Sequence, residues 1–211
     1  MNQHFITVEG GEGAGKSTVL SHLKVKLEKE GYDVLITREP GGIPIAEEIR
    51  EVILHPANTA MEMRTEALLY AAARRQHLVE KIVPALQAGK IVLCDRFIDS
   101  SLAYQGHARG IGMDEVYEMN QFAIDTFMPG LTLFFDVEPT VGLQRINQNQ
   151  GREINRLDLE KIEFHEKVYE GYNILRKRFS KRIKTIDARP HIDTVTEQAF
   201  QQTMSHLREG G

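Results

Sequence analysis

The run Glu9-Gly10-Gly11-Glu12-Gly13-Ala14-Gly15-Lys16-Ser17-Thr18 constrains this chain most, because it joins a strand pattern to a helix pattern through a loop suited to wrap an anion. From Gly10 to Ser17 it satisfies G-x-x-x-x-G-K-[ST]. The glycines let the backbone curl until several N–H groups point at one phosphate. Lys16 can reach the β- and γ-phosphates, and the Ser17 hydroxyl can hold a Mg²⁺. Phe5-Ile6-Thr7-Val8 reads as a buried strand before the loop, and Val19–Lys29 carries Leu20, Leu23 and Leu27 at helical spacing after it. The loop therefore opens a helix whose N-terminal dipole favours negative charge. The nucleoside triphosphate would lie on Gly10, Gly11, Glu12, Gly13, Ala14, Gly15, Lys16, Ser17 and Thr18. A plain glycine turn leaves Lys16-Ser17 without a task.

The same alternation continues. Val34–Thr37, Ile91–Cys94, Leu131–Phe135 and, more weakly, Ile183–Ile186 read as further buried strands. Helical patterns cover Ile45–Leu54, Met63–Ala88, Asp114–Phe127, Thr140–Asn147, Leu159–Ser180 and Thr194–Leu207. Strands alternating with helices predict an α/β fold with a parallel sheet of about five strands flanked by helices. Ligands then gather at the carboxyl ends of the strands, where Glu9, Arg38-Glu39, Asp95-Arg96, Asp136 and Asp187 stand.

A chain of 211 residues, 41% hydrophobic and 27% charged, suits a single domain over 1–211. No apolar run approaches the length of a membrane span, and the early phosphate loop leaves no room for a leader. The lone cysteine, Cys94, lies in a strand pattern and fits a reducing cytoplasm. A net charge of −4 argues against a nucleic-acid binder, though not against a small anion held by a few arginines.

Phosphoryl transfer is mostly positioning and charge neutralisation, so the remaining question is where cations and a metal carboxylate lie. Arg38 leaves a strand into the turn Glu39-Pro40-Gly41-Gly42, which projects it toward the cleft. Asp95 can serve the metal shell, and Arg96 can clasp a second phosphate bidentately. Arg50 is equally readable as solvated or cleft-facing. Tyr70 and Arg74 share one helix face. Glu12 either turns to solvent or accepts from a ligand hydroxyl. The polar segment around 145–157, with Arg145, Arg152 and Arg156, is either a connector or a lid that closes cations onto phosphates. None of Gly11, Glu12, Gly13 and Ala14 is basic, which favours the lid: Arg152 and Arg156 are the natural suppliers of late positive charge.

Three runs in combination resemble the thymidylate kinase family: Glu9–Ser17, Thr37-Arg38-Glu39-Pro40-Gly41-Gly42, and Asp95-Arg96-Phe97 with Ser100-Ser101-Leu102-Ala103-Tyr104-Gln105-Gly106. The resemblance spans about Phe5 to Asp187, and the non-basic loop with lid arginines is similar to the bacterial subtype. It implies a P-loop nucleoside monophosphate kinase fold with a short lid, ATP as donor, dTMP as acceptor, Mg²⁺ and a homodimer. By that resemblance Arg38 and Arg96 bind the acceptor phosphate, and Arg50 faces it. Glu39 and Asp95 organise the metal with Ser17. Tyr70 stacks on thymine, Arg74 donates to its O4, and Gln105 and Ser101 lie near N3. Glu12 accepts from the 3′-hydroxyl, and Tyr104 crowds the 2′ position. The family's lid usually reads Asp-Arg; Asn155-Arg156 keeps only the cation. The alternatives are a kinase for another nucleotide and a P-loop regulatory ATPase, which would leave the Arg-Glu-Pro-Gly-Gly turn idle.

Overall fold

Each of the five apolar runs becomes a strand of one parallel sheet: β1 Asn2–Glu9, β2 Val34–Arg38, β3 Ile91–Asp95, β4 Pro129–Asp136 and β5 Ile183–Asp187. The structure is a computed structural model and describes residues 2–148 and 156–209. The strand order is β2-β3-β1-β4-β5. In this register Val8 and Arg38 both lie opposite Asp95, so the carboxyl ends of the three strands meet along one edge. The chain leaves β1 toward β2 and returns, then leaves β3 toward β4 on the other side. The crevice therefore opens between β1 and β3, where an open α/β sheet binds its ligands.

Period-two alternation sends neighbouring residues to opposite layers. Ile6, Val8, Leu93 and Leu133 pack toward α1 (Lys16–Lys29) and α9 (Ile192–Glu209). Phe5, Val92, Cys94 and Phe134 pack on the other face, toward α6 (Met113–Ile124) and α8 (Ile162–Arg178). Burial on both faces explains why the strands read as continuous apolar runs. Among the described residues no helix is long and apolar enough to cross a membrane.

Three helical stretches differ from expectation. The predicted helix Met63–Ala88 is α3 (Met63–His77), a π-helical turn Leu78–Ile82, and α4 (Val83–Gln87). Pro84 has no N–H for the carbonyl one turn back, and the wider turn precedes it. Behind β3, α5 (Ile98–Ser101) runs into a π-helical stretch, Leu102–Ala108, marked by the Arg109 N–H donating to the Tyr104 carbonyl at 2.8 Å. That widening resets the faces of Tyr104 and Gln105, and α8 packs against it at Gly171, where a Cβ would sit 3.1 Å from the Ala103 Cα. The predicted helix from Leu159 begins instead as a 3₁₀ turn, Arg156–Leu159, ahead of α8. The remaining helices are α2 (Pro44–Leu54) and α7 (Pro139–Gln148).

Candidate active site

The phosphate loop leaves β1 and enters α1 through Gly15, at φ +83°, as the cap residue. Gly13, at φ +70°, lies so close to α7 that a Cβ would meet the Gly142 carbonyl oxygen at 2.0 Å. Any other residue there would push the loop off the helix. The Lys16 amine is buried and donates to the carbonyls of Gly10 at 3.1 Å and Gly11 at 2.9 Å. Burial first, and the Arg96 charge second, hold its pKa below the usual lysine value.

Ser17 Oγ donates to Asp95 Oδ2 at 2.9 Å, while the buried Asp95 Oδ1 has no hydrogen-bond partner in the protein. A hydroxyl and an unshared carboxylate oxygen side by side form a hard oxygen donor pair that suits Mg²⁺. Glu39, expected beside the metal, is engaged elsewhere. Its buried carboxylate accepts from Arg74 Nε at 2.8 Å and lies 3.1 Å from His77 Nδ1.

Arg96 occupies the left-handed region at φ +69°, rare for a residue with a side chain and typical of sites that need a fixed geometry. Its guanidinium donates to Glu12 Oε1 at 2.7 Å and to the Gly10 carbonyl at 3.1 Å, and it lies 5.2 Å over the Tyr104 ring. The Tyr104 hydroxyl also donates to Glu12 Oε1, at 3.1 Å. Glu12 therefore turns inward, away from solvent.

Two adjoining cavities share Glu12, Glu39, Arg50 and Arg96 as their common wall. One contains the phosphate loop with Asp95, Arg38 and Arg145. The other gathers Tyr70, Arg74, Ser101, Tyr104 and Gln105, with Leu54, Phe97 and Leu157 as its apolar side. Every acceptor candidate except Arg38 lies in this second cavity. Arg38 sits on the phosphate-loop side, pinned by Glu47 through Nη2 at 2.8 and 3.0 Å.

Arg74 is almost fully buried and spends its guanidinium on protein atoms. It donates to Glu39, to Ser101 Oγ at 3.1 Å, to the Phe97 carbonyl at 3.0 Å and to Asn120 Oδ1. Arg156 is also buried, but not toward the phosphate loop. It donates to the Ile53 carbonyl at 2.9 Å and to Glu66. The expected phosphate-facing cation is thus held by Ile53 and Glu66 and does not line the phosphate-loop cavity. Arg152 lies outside the described residues. Arg145, one residue of the expected lid, lines the phosphate-loop cavity from α7.

One carboxylate escaped the sequence reading, and a second was marked only by its place at a strand end. Glu66 lies four residues before Tyr70 and eight before Arg74, a helical spacing that could have drawn notice. Glu9 gave no signal beyond its strand-end position. It accepts from the N–H groups of Phe97 at 2.7 Å and Ser100 at 3.2 Å, from Ser100 Oγ at 2.6 Å and from the Tyr172 hydroxyl at 2.8 Å. Burial, then the nearby Asp99 charge, raise its carboxyl to about 7. Between the ordinary glutamate value of 4.5 and about 7, the folded protein holds a proton that the unfolded chain has released. Stability therefore falls as pH rises through that window. Glu9→Gln removes this titration, so its melting temperature gains on the wild type between about pH 5 and about pH 8. A difference constant across that range in thermal scans would refute the assignment.

A phosphate loop, a hydroxyl–carboxylate pair beside it and a second cavity across an arginine wall define a nucleotide kinase of the phosphate-loop class. The model of the thymidylate kinase family matches residues 8–199. A thymidylate kinase from Oceanobacillus iheyensis is 61% identical over 205 residues, 97% of this chain and 91% of the relative. One from Bacillus velezensis is 61% identical over 209 residues, covering 99% of each. A crystal structure of thymidylate kinase from Ehrlichia chaffeensis superposes with a TM-score of 0.74 at 32% identity, over 95% of this chain and 97% of that one. The chain belongs to the thymidylate kinase family and transfers the γ-phosphate of ATP to dTMP, giving dTDP on the way to dTTP. The matches give no support to a regulatory ATPase or to another acceptor.

Proposed function

We propose that this chain works as a single domain over 1–211, in the cytoplasm, as a Mg²⁺-dependent homodimeric dTMP kinase. The observation that carries the metal reading is Asp95 Oδ1, buried and unpartnered beside the Ser17 hydroxyl. Ser17 and Asp95 would hold the ion, and Glu39, tied to Arg74 and His77, would act only on the cavity wall. Bound there, Mg²⁺ would neutralise developing charge on the phosphates. The loop N–H groups and the α1 dipole would cradle the donor phosphates. Lys16 would leave the Gly10 and Gly11 carbonyls for the transferring phosphoryl group. Across the wall, Arg96 and Arg50 would hold the acceptor phosphate in line, with Arg38 at the entrance.

In the second cavity, Tyr70 would stack on thymine, Arg74 would meet O4, and Ser101 would lie near N3. Gln105 would face N3. Glu12 would accept from the 3′-hydroxyl, and Tyr104 would exclude a 2′-hydroxyl. Each of these side chains lines that cavity, which supports the reading. Arg152 is the proposed late cation, while Arg156 would anchor the cavity wall through Glu66. Asp95→Asn tests the metal site: it should raise the Mg²⁺ concentration for half-maximal rate by about 10–100-fold. An unchanged Mg²⁺ titration would remove Asp95 from the shell.

The homodimer is supported by an apolar surface on α3 and α6. Phe122 on α6 is 94% exposed, and Leu68 and Met63 are exposed on α3, the helix packed against it. Large apolar side chains left exposed on two neighbouring helices suit an association site. Sedimentation that returns only monomer at micromolar concentration would sink that reading. The cytoplasmic assignment is supported by the single, buried cysteine.

A further inference from the structure

Glu66 lies on α3 under the acceptor cavity, 1% exposed, and three side chains converge on it. Gln105 Nε2 donates to Oε1 at 2.8 Å. Arg109 donates to both oxygens, each at 3.4 Å, and Arg156 donates to Oε2. The two arginines are fixed in turn, Arg109 by Glu160 at 2.6 Å and Arg156 by the Ile53 carbonyl. Burial alone would raise the Glu66 carboxyl, but Arg109, Gln105 and Arg156 together hold it below the usual range. Glu66 is therefore an ionised group that can only accept hydrogen bonds.

An unrestrained glutamine amide can turn over and present either its oxygen or its NH₂. Beside an ionised carboxylate that freedom is lost: the NH₂ must face Glu66. Gln105 lines the acceptor cavity, and with its NH₂ held toward Glu66 the amide oxygen is kept on the other side, where it can accept from a ligand. We propose that Glu66 is a specificity-determining positioning residue, which locks the Gln105 amide so that the cavity takes a base with a ring N–H and rejects one with a bare ring nitrogen. The proposal rests on the reading that Gln105 faces the base. Thymine carries a donor at N3, where cytosine carries an acceptor that would meet the Gln105 oxygen lone pair to lone pair. The desolvated mismatch is what gives such a polar site its selectivity. The two arginines serve this purpose by keeping Glu66 charged.

The test compares dTMP with 5-methyl-dCMP, which keeps the methyl group and differs only at position 4 and N3. In Glu66→Gln the amide is free to turn, and the ratio of kcat/KM for the two acceptors falls by about tenfold or more. The change appears in KM for the acceptor rather than in KM for ATP. Gln105→Met, of nearly the same shape, loses the same discrimination. In the wild type, the Gln105 side-chain NH₂ signals, identified by their loss in Gln105→Met, stay protected from exchange when dTMP is bound. An unchanged ratio in folded Glu66→Gln, while Gln105→Met loses discrimination, overturns the proposal alone. An unchanged ratio in Gln105→Met overturns the base-facing reading as well. Should Glu66→Gln not fold, the wild-type exchange experiment decides: freely exchanging NH₂ protons in the dTMP complex overturn the lock.

Discussion

Lys16→Ala lowers kcat by about 10²–10³-fold while dTMP affinity stays within about threefold. The amine lies on the phosphate-loop side of the arginine wall and lines only that one of the two cavities. In the proposed role it would act where charge develops, on the transferring phosphoryl group, so its loss would fall on the chemical step rather than on acceptor binding. Its depressed pKa, set by burial and by Arg96, is relieved when anionic phosphates arrive, so bound ATP favours the charged form. Steady-state kinetics with calorimetric titration of dTMP separates the two effects. A kcat loss under tenfold, or a matching loss of dTMP affinity, would contradict this placement.

Arg74→Ala has the largest expected effect on stability, a loss of about 3–5 kcal/mol. The arginine is 2% exposed, and its removal leaves the buried Glu39 carboxylate with His77 as its hydrogen-bonding side chain among the described residues. Asn120 Oδ1 and the Phe97 carbonyl lose their donor at the same time. An unpaired buried carboxylate is costly because the surrounding medium cannot replace its lost partner. The same variant weakens dTMP binding far more than ATP binding, since Arg74 lines only the acceptor cavity. Arg74→Lys keeps a cation but not the planar fork, and falls between the two. Urea denaturation gives the first quantity and calorimetry the second. A stability loss below about 1 kcal/mol would show that the network around Glu39 is not cooperative.

The sheet was legible because strands buried on both faces read as unbroken apolar runs such as Ile91–Cys94. Tyr70, Arg74, Tyr104 and Gln105 stand out in the sequence only through family resemblance, and one cavity collects all four. What escaped was how they are held. Glu39 follows Arg38 in a turn, and nothing in that turn reveals that Arg74, 35 positions later, takes one of its oxygens. Arg156 sits in a polar stretch that reads as a lid, yet its partner is Glu66, 90 positions earlier. Such pairings follow from strand order, which a single sequence does not display.

Local sequence thus determined the glycine-rich strand–loop–helix, the βα alternation and the depth of the core. These depend on backbone freedom at glycine and on side-chain periodicity, both encoded within a few residues. Tertiary structure alone decided the electrostatic partners. It left Asp95 Oδ1 open beside Ser17, closed Glu39 onto Arg74, turned Glu12 inward to Arg96, and placed Glu66 behind Gln105. The reason is physical: a buried charge takes whichever partner the fold brings within about 3 Å, and that distance depends on packing across the whole molecule.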